Sequence, residues 1–326
     1  MQVLIADQLA IRCLGSGWLL PWMGPAVRGL VARPWKEAVC RLSEAEQTQH
    51  ESCSFGCPHH AVCDYGRTVE PHKVGRPNER GSTNIVFATG FPIIAESVAG
   101  RTATVESRPL PAVKGTTFPL TLTLTGPGVD SLDTVLNRLS KELPTRGFGD
   151  EKSPVLCELV RSGLRVETHD LCSGQLLLPT AENKATVRRL RVELTSPLIL
   201  KQSFQQGRLL PKSRLNLRPH LGDLLSKCLS LIESLFQQAG EFLEFDRDQL
   251  KRLADGKPPL QESFRPFEQA KKCNRSIQNC LAEGIVGHAV YADVPQVLIP
   301  WLSWGGRLHV GDHRVAGAGG WRLIVE

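Results

Sequence analysis

The sequence predicts an α+β protein made of two consecutive βαββαβ modules, and three observations carry that expectation. Its 326 residues are 41% hydrophobic and 22% charged, the proportions of an ordinary globular chain with length for two separate cores. The run FPLTLTLTG sets Phe118, Leu120, Leu122 and Leu124 against threonines with the two-residue period of a half-buried strand. His220 to Gly240 instead spaces Leu221, Leu224, Leu225, Cys228, Ile232, Leu235 and Phe236 three and four apart. That is the stripe of an amphipathic helix, with Gly240 as its stop.

In chain order, Gln2 to Leu14 alternates as an opening strand. Trp22 to Leu42 begins with Pro and Gly and then places Val27, Leu30, Val31, Trp35, Val39 and Leu42 at helical spacing. A cysteine-rich segment follows, then a loop from Gly66 to Asn84 rich in Gly, Pro and basic residues. After the FPLTLTLTG strand, Ser131 to Leu143 reads as a helix capped near Asp130, and Val155 to Thr168 as one extended stretch. The second module opens with a strand, Val187 to Leu194, and continues into the His220–Gly240 helix. The stretch through Lys271, Lys272 and Arg275 is less regular, with a weak strand near Ser263 to Phe267. A buried strand from Gly284 to Ala292, a short helix from Val294 to Trp304 and a final strand from Gly320 to Val325 complete the chain. The order βαββαβ is the ferredoxin-like, or RRM-like, plan. The first half fits it more loosely, with a cysteine-rich insertion at about residues 40–84. The boundary falls near LPTAENK, giving domains of residues 1–183 and 184–326.

The longest uncharged stretches, Cys13 to Val27 and Gly81 to Ala95, are too short and too interrupted by Gly or Pro to span a bilayer. Asp7 sits inside the first apolar run, so the N-terminus does not read as a signal peptide. The expectation is a soluble cytoplasmic protein with no membrane partner.

Net charge is +6, and its distribution says more than its size. Between Thr186 and Ser230 stand Arg188, Arg189, Arg191, Lys201, Arg208, Lys212, Arg214, Arg218 and Lys227, against only Glu193 and Asp223. Arginines outnumber lysines 26 to 13, and the guanidinium fork suits phosphate and guanine edges. A polyanion such as nucleic acid fits this face, and a merely solvated basic surface is the competing account.

Ten cysteines without a secretion signal argue against a disulfide framework. Cys13, Cys157, Cys172, Cys228, Cys273 and Cys280 are scattered and read as small buried hydrophobes. Cys40, Cys53, Cys57 and Cys63 lie within 24 residues as C-x12-C-x3-C-x5-C, with His50, His59 and His60 among them. Four soft ligands suit a structural zinc or an iron–sulfur cluster; without a C-x2-C pair, free packed thiols compete with both. A catalytic zinc is disfavoured, because four cysteines leave no open position.

The C-terminal run Gly305 to Gly320 holds six glycines in sixteen residues, interleaved with Arg307, His309, His313 and Arg314. Glycine lets backbone amides approach a phosphate, and the basic side chains add charge-assisted contacts. The run lacks the G-x4-G-K-[ST] of a nucleotide P-loop, and a plain turn between helix and strand is the alternative.

Together these residues resemble a known family. LHVGDHRVAGAGGWRL is similar to the glycine-rich loop of the RAMP superfamily of CRISPR-associated proteins, and AEGIVGHAVYADVPQVLIPWLSWGGRLHVG to the continuation found in its repeat-RNA endoribonucleases. RRLRVELTSPLILK resembles the strand opening their second domain, and LPWMGPAVRGLVARPWKEAVC their Arg-Gly helix and following cysteine. HESCSFGCPHHAVCDYGRTVEP resembles the cysteine-rich segment of some members, ending in Cys-x-Tyr and Glu-Pro. The departures are an extra residue between Cys53 and Cys57, and Asp312 where the loop usually continues with a basic residue.

The resemblance implies an endoribonuclease that cuts CRISPR precursor RNA within its repeats to give guide RNAs. It implies attack by a 2′-hydroxyl that leaves a 2′,3′-cyclic phosphate, with no cofactor for catalysis. Arg28 is the candidate cation for transition-state charge and His50 the candidate proton-transfer group, with Lys36 and Tyr65 in reserve. A metal taking a histidine ligand would remove His50 or His59 from that role. RNA contacts fall to Arg188, Arg189, Arg191, Lys201, Arg208, Lys212, Arg214 and Arg218, and to Gly305, Gly306, Arg307, His309, Gly311, His313, Arg314, Gly317 and Gly319. The alternative from another class is a non-catalytic RAMP subunit holding guide RNA among other CRISPR effector subunits. A metal-stabilised interaction protein with an incidental basic surface is the third.

Overall fold

The computed structural model describes residues 1–43, 46, 53, 57–89, 105–106, 109–150, 153–171, 176, 185–200, 216–271 and 280–326. The chain divides into two compact units. The first comprises Met1–Gly90, Pro109–Cys172 and Leu231–Leu243, and the second Phe91–Arg108, Ser173–Ser230 and Glu244–Glu326.

The first unit is built on β1 (Gln2–Cys13), whose alternating apolar residues Val3, Ile11 and Cys13 are fully or nearly fully buried. A register shift between Ala6 and Leu9, with Gln8 at φ 57°, bulges the strand in mid-course. Helix α1 (Gly24–Val39) carries Pro at its first turn and buries Val27, Leu30, Val31 and Trp35. Helix α2 (Asp64–Thr68) is a single turn, and β2 (Ile85–Thr89) is a strand that starts just past the loop expected from Gly66 to Asn84, where the sequence pattern assigns no element. Strand β3 (Thr117–Thr125) buries Phe118, Leu120, Leu122 and Leu124 as its pattern predicts. Thr123 and Thr125 are buried as well, so its threonine face is covered at the far end. Helix α3 (Leu132–Arg146) extends past Pro144 and stops at Gly147, φ +57°.

The extended stretch expected from Val155 to Thr168 is two strands, β4 (Cys157–Val160) and β5 (Arg165–Asp170), separated by a turn closed by Leu164 N to Arg161 O at 2.9 Å. Both pair antiparallel with β1, one with each of its halves. The sheet order is therefore β4/β5, β1, β3, β2, with α1 and α3 packed together: the order of a ferredoxin-like sheet.

The second unit repeats that order. Strand β6 (Thr186–Leu194) is followed by helix α4 (Leu221–Gln238), the expected amphipathic helix, whose residues up to Ser230 belong to the second unit and those from Leu231 to the first. It ends as predicted at Gly240, φ +74°, where Glu241 N reaches Phe236 O at 2.9 Å across a left-handed cap. Helix α5 (Arg247–Ala254) has Asp246 as N-cap, its Oδ1 accepting from Gln249 N at 2.8 Å; the sequence pattern of this charged turn gave no such signal. Strand β7 (Gln261–Glu262) and β10 (His288–Pro295) complete one sheet with β6 and β11 (Trp321–Val325), in the order β7, β10, β6, β11. β8 (Arg265–Lys271) and β9 (Cys280–Val286) form a separate hairpin sheet, joined by Val105–Glu106. The single buried strand expected from Gly284 to Ala292 is thus two, broken at Gly287. That residue sits at φ +117°, with no room for a β-carbon beside the Ser263 carbonyl. Helix α6 (Ile299–Leu308) follows β10. No helix among the described residues is long and apolar enough to cross a membrane.

Candidate functional site

The glycine-rich end is two structures, not one. Gly305 and Gly306 are buried inside α6, which runs four residues past the Trp304 end expected from sequence. A β-carbon on Gly305 would strike Cys228 Sγ of α4, and one on Gly306 the Trp321 carbonyl of β11. These glycines bring the helix into contact with its neighbours, and Trp321 Nε1 donates to Leu302 O at 2.9 Å across the junction.

Beyond α6 the chain closes a loop pinned to residues 195–200. Asp312 N donates to Ile199 O at 3.0 Å, Gly319 N to Pro197 O at 2.8 Å, and Gly320 N to Ser196 Oγ at 2.8 Å. The amides of Val310, Ala316 and Gly317 donate to the carbonyls of Gly319, His313 and Arg314. Gly311 (φ +99°), Gly317 (φ +74°) and Gly319 (φ +80°) supply the left-handed turns, and a β-carbon on Gly311 would sit 2.5 Å from Ile199 O. The glycines serve closure of the loop, so the amides named here are not laid out as an open phosphate cradle.

Of the loop's basic side chains, two point inward. His309, itself at φ 60°, donates Nδ1 to Gly317 O at 3.1 Å; burial, helped by neighbouring Arg314, pushes its pKa down to about 4. Arg314 is buried too, its Nε donating to Leu308 O at 2.6 Å, and burial pushes its pKa down to about 9. Arg307 is exposed and lies over the Trp304 ring, 5.4 Å from its centroid. His313 is half-buried.

The basic run is distributed by the pleat of β6. Leu190 and Val192 face the core, whereas Arg189, Arg191 and Glu193 share the other face. On that face Glu193 pairs with Arg322 at 3.0 Å, which holds the Glu193 carboxyl below its usual range; Arg189 lies 3.7 Å from Glu326 and donates to Gln261 at 3.2 Å. Arg191 is half-buried and its Nε has no hydrogen-bond partner. Arg188 is exposed at the strand's start, and exposed Arg218 reaches Glu262 at 2.7 Å. Lys201, Arg208, Lys212 and Arg214 lie outside the described residues.

In the first unit Arg28 projects from the second turn of α1, half-buried, its Nε buried without a hydrogen-bond partner. Burial lowers its pKa, while Tyr65 and Glu70 act in the opposite direction. Tyr65, buried on α2, donates its hydroxyl to Glu70 Oε1 at 3.2 Å, and Cys53 N donates to Glu70 Oε2 at 2.9 Å. Burial, then Glu70, pushes the Tyr65 phenol upward. His60 and His72 stack beside them, ring centroids 3.5 Å apart at 9°, with His72 Nε2 donating to Cys53 O at 2.9 Å. Glu70 was missed by the sequence reading although it is the Glu of the Glu-Pro that ends the cysteine-rich motif. His50 lies outside the described residues.

Cys40, Cys53, Cys57 and Cys63 line one cavity of about 380 Å³, together with Lys36, Arg41 and His59. All four are free thiols. Burial pushes the Cys53 thiol up to about 12, against the pull of Lys36. No group of three or more His, Cys, Asp or Glu side chains among the described residues is placed to hold a metal ion, so the geometry lends no support to the structural metal, zinc or iron–sulfur, that the spacing left open beside free packed thiols. Cys13, Cys157 and Cys228 are buried as expected, and Cys172 and Cys273 lie outside the described residues.

Two family models match the chain: an N-terminal domain named AF_1859_N over residues 4–186, and the CRISPR-associated endoribonuclease Cas6 over residues 192–321. Among solved structures, the product complex of a Thermus thermophilus Cas6 is 14% identical, with a TM-score of 0.51 over 99% of this chain and 100% of that one. A partial Cas6-RT-Cas1–Cas2 complex is 12% identical, with a TM-score of 0.50 over 100% of this chain and 46% of that one. At such identities the likeness is one of fold. Among curated proteins, none matches the chain.

Proposed function

The chain belongs to the Cas6 family of CRISPR-associated endoribonucleases, and from that premise we propose that it cleaves each repeat by internal attack at phosphorus. The 2′-hydroxyl 5′ of the scissile phosphate loses its proton and forms a bond to phosphorus. The P–O5′ bond breaks, and the departing oxygen takes up a proton. The products are a 2′,3′-cyclic phosphate and a 5′-hydroxyl. The nucleophile is tethered beside the phosphorus, so the protein's tasks are to align it in line, stabilise charge and move two protons. Nothing in that list calls for a metal.

Arg28 supplies the charge stabilisation in this reading. Burial makes its guanidinium a stronger electrostatic partner than an exposed one, and the Tyr65–Glu70 pair keeps anionic character beside it until RNA arrives. His50 is retained as the candidate for proton transfer. Arg188, Arg191 and Arg307 are the described cations best presented to phosphates. Arg189 and Arg218 reach RNA only by exchanging an existing acidic partner. His309, Arg314 and the glycines between them act by shaping the loop. The domain division at 183/184 is kept as part of this reading.

The observation that carries the proposal is the endoribonuclease family match over residues 192–321, which includes the whole glycine-rich loop. Its test is a repeat RNA with one 2′-deoxy nucleotide at the cut position, incubated in EDTA. Cleavage of the all-ribose RNA and none of the deoxy RNA is expected. Cutting of both defeats the mechanism, and cutting of neither favours the non-catalytic RAMP subunit.

A further inference from the structure

The outward face of the second unit's sheet carries a histidine that RNA cleavage, as read above, leaves unused. On β6 Leu190 and Val192 turn to the core, so Arg191 and Glu193 turn away from it. Across the ladder Glu193 stands opposite His288 of β10, and Arg191 opposite Val290. His288 and Arg191 are therefore diagonal neighbours on one face, within reach of a long side chain. On the other flank of β6, Arg322 stands opposite Glu193 and Ile324 opposite Arg191.

The His288 ring is fixed by one neighbour. Its Nδ1 lies 2.7 Å from Ser263 Oγ, and Ser263 N donates to the His288 carbonyl at 2.9 Å, so ring and backbone are tied to the same residue. Whichever atom of the first pair donates, Nδ1 is occupied and Nε2 is the ring nitrogen left to meet a ligand. Burial lowers the His288 pKa and Arg191 lowers it further, while Glu193 and Glu326 act the other way. At pH 7 the ring is thus mostly neutral until an anion arrives beside it. Glu193 is already engaged by two nitrogens of Arg322, each at 3.0 Å.

The make-up of this face selects the kind of contact. RNA-binding sheets of the same plan stack bases on aromatic side chains. The outward residues of β6, β10 and β11 include no Phe, Tyr or Trp. A guanidinium beside an imidazole offers N–H donors instead, which suit phosphate oxygens.

We propose that Arg191 and His288, with Ser263 holding the ring, bind one backbone phosphate of the RNA, and that His288 takes up a proton from solvent as the phosphate seats. The charged ring then donates Nδ1–H to Ser263 Oγ and Nε2–H to a phosphate oxygen. This site rests on the RNA-processing reading and adds a proton-linked contact to it. A ring whose pKa is higher in the complex than in the free protein makes affinity rise as pH falls, by up to about tenfold for each unit of that rise. Glu193 keeps its charge through this range, since Arg322 holds its carboxyl low.

The test is titration of repeat RNA, blocked by one 2′-deoxy nucleotide at the cut position, at pH 5.5 and pH 8 and several salt concentrations. Binding is thereby read apart from cleavage, so a wrong mechanism and a wrong phosphate site fail in different measurements. Wild type should bind several-fold tighter at pH 5.5 than at pH 8. His288→Gln should lose most of that difference, and its log–log salt slope should be shallower than wild type by about one unit at pH 5.5 and equal to it at pH 8. His288→Lys, with a permanent charge, should bind at pH 8 nearly as wild type does at pH 5.5. Where a His288 variant does not fold, Ser263→Ala takes its place: the released ring should give a smaller pH effect. A wild-type pH effect retained in His288→Gln or Ser263→Ala, or a salt slope altered equally at both pH values, overturns the proposal.

Discussion

Val310 donates its amide to the carbonyl of Gly319 at 2.9 Å, while a β-carbon on Gly319 would fall inside the van der Waals envelope of Val310's own carbonyl oxygen. The two ends of the C-terminal loop meet there, and only glycine lets them.

Gly319→Ala is therefore expected to destabilise the second unit by at least about 2 kcal/mol, since φ +80° and the close carbonyl both oppose a side chain. Gly29→Ala is the control: that glycine lies in α1 with open space around it, and alanine there should stabilise by about 0.5–1 kcal/mol. Urea unfolding of both variants checks the pair, and equal effects would refute the packing account.

Buried His309 makes stability pH-dependent. Its folded pKa, about 4, lies below the ordinary 6.5, so the unfolded chain binds more protons between those values. Its contribution is fully present above pH 6.5 and declines as pH falls toward 4, by on the order of 3 kcal/mol at most. His309→Asn should be less stable at pH 7 and flatter across that window. A wild-type melting temperature that rises on acidification from 6.5 to 4 contradicts the assignment.

Arg28→Ala should slow single-turnover cleavage by about a hundredfold or more, with RNA affinity changed little. Tyr65→Phe and Glu70→Gln act through Arg28 and should cost less, about tenfold. Arg28→Lys should recover part of the loss, since charge returns without the fork. Wild-type rates in Arg28→Ala would remove this residue from catalysis.

Arg191→Ala should weaken repeat-RNA binding several-fold and make the salt dependence shallower by about one unit in the log–log slope. Titrations at several salt concentrations measure it. A lower affinity with an unchanged slope would mean that Arg191 acts by packing rather than on a phosphate.

Much of this was legible in the sequence where one period dominated. β1, β3, β6 and α4 each have a clean two-residue or helical repeat, and each forms within a few residues of where that repeat runs. Legibility failed where a single backbone position overrode the pattern. Gly287 splits one apolar run into two strands, and the Arg161–Leu164 turn splits another, because periodicity is blind to a local reversal of direction. The glycine-rich end misled differently. A glycine that admits a phosphate and one that admits a tryptophan carbonyl look alike in a sequence, and Gly305 and Gly306 are of the second kind. Burial of His309 and Arg314 was equally hidden, since basic residues in a loop ordinarily read as exposed. The cysteines announced themselves by spacing, whereas Glu70, which ties Cys53 to Tyr65, needed the fold.

Gly287 has an architectural consequence. Residues on either side of it belong to different sheets, and Leu194 N donates to its carbonyl at 2.9 Å, so the chain changes sheet at a point held fast against β6.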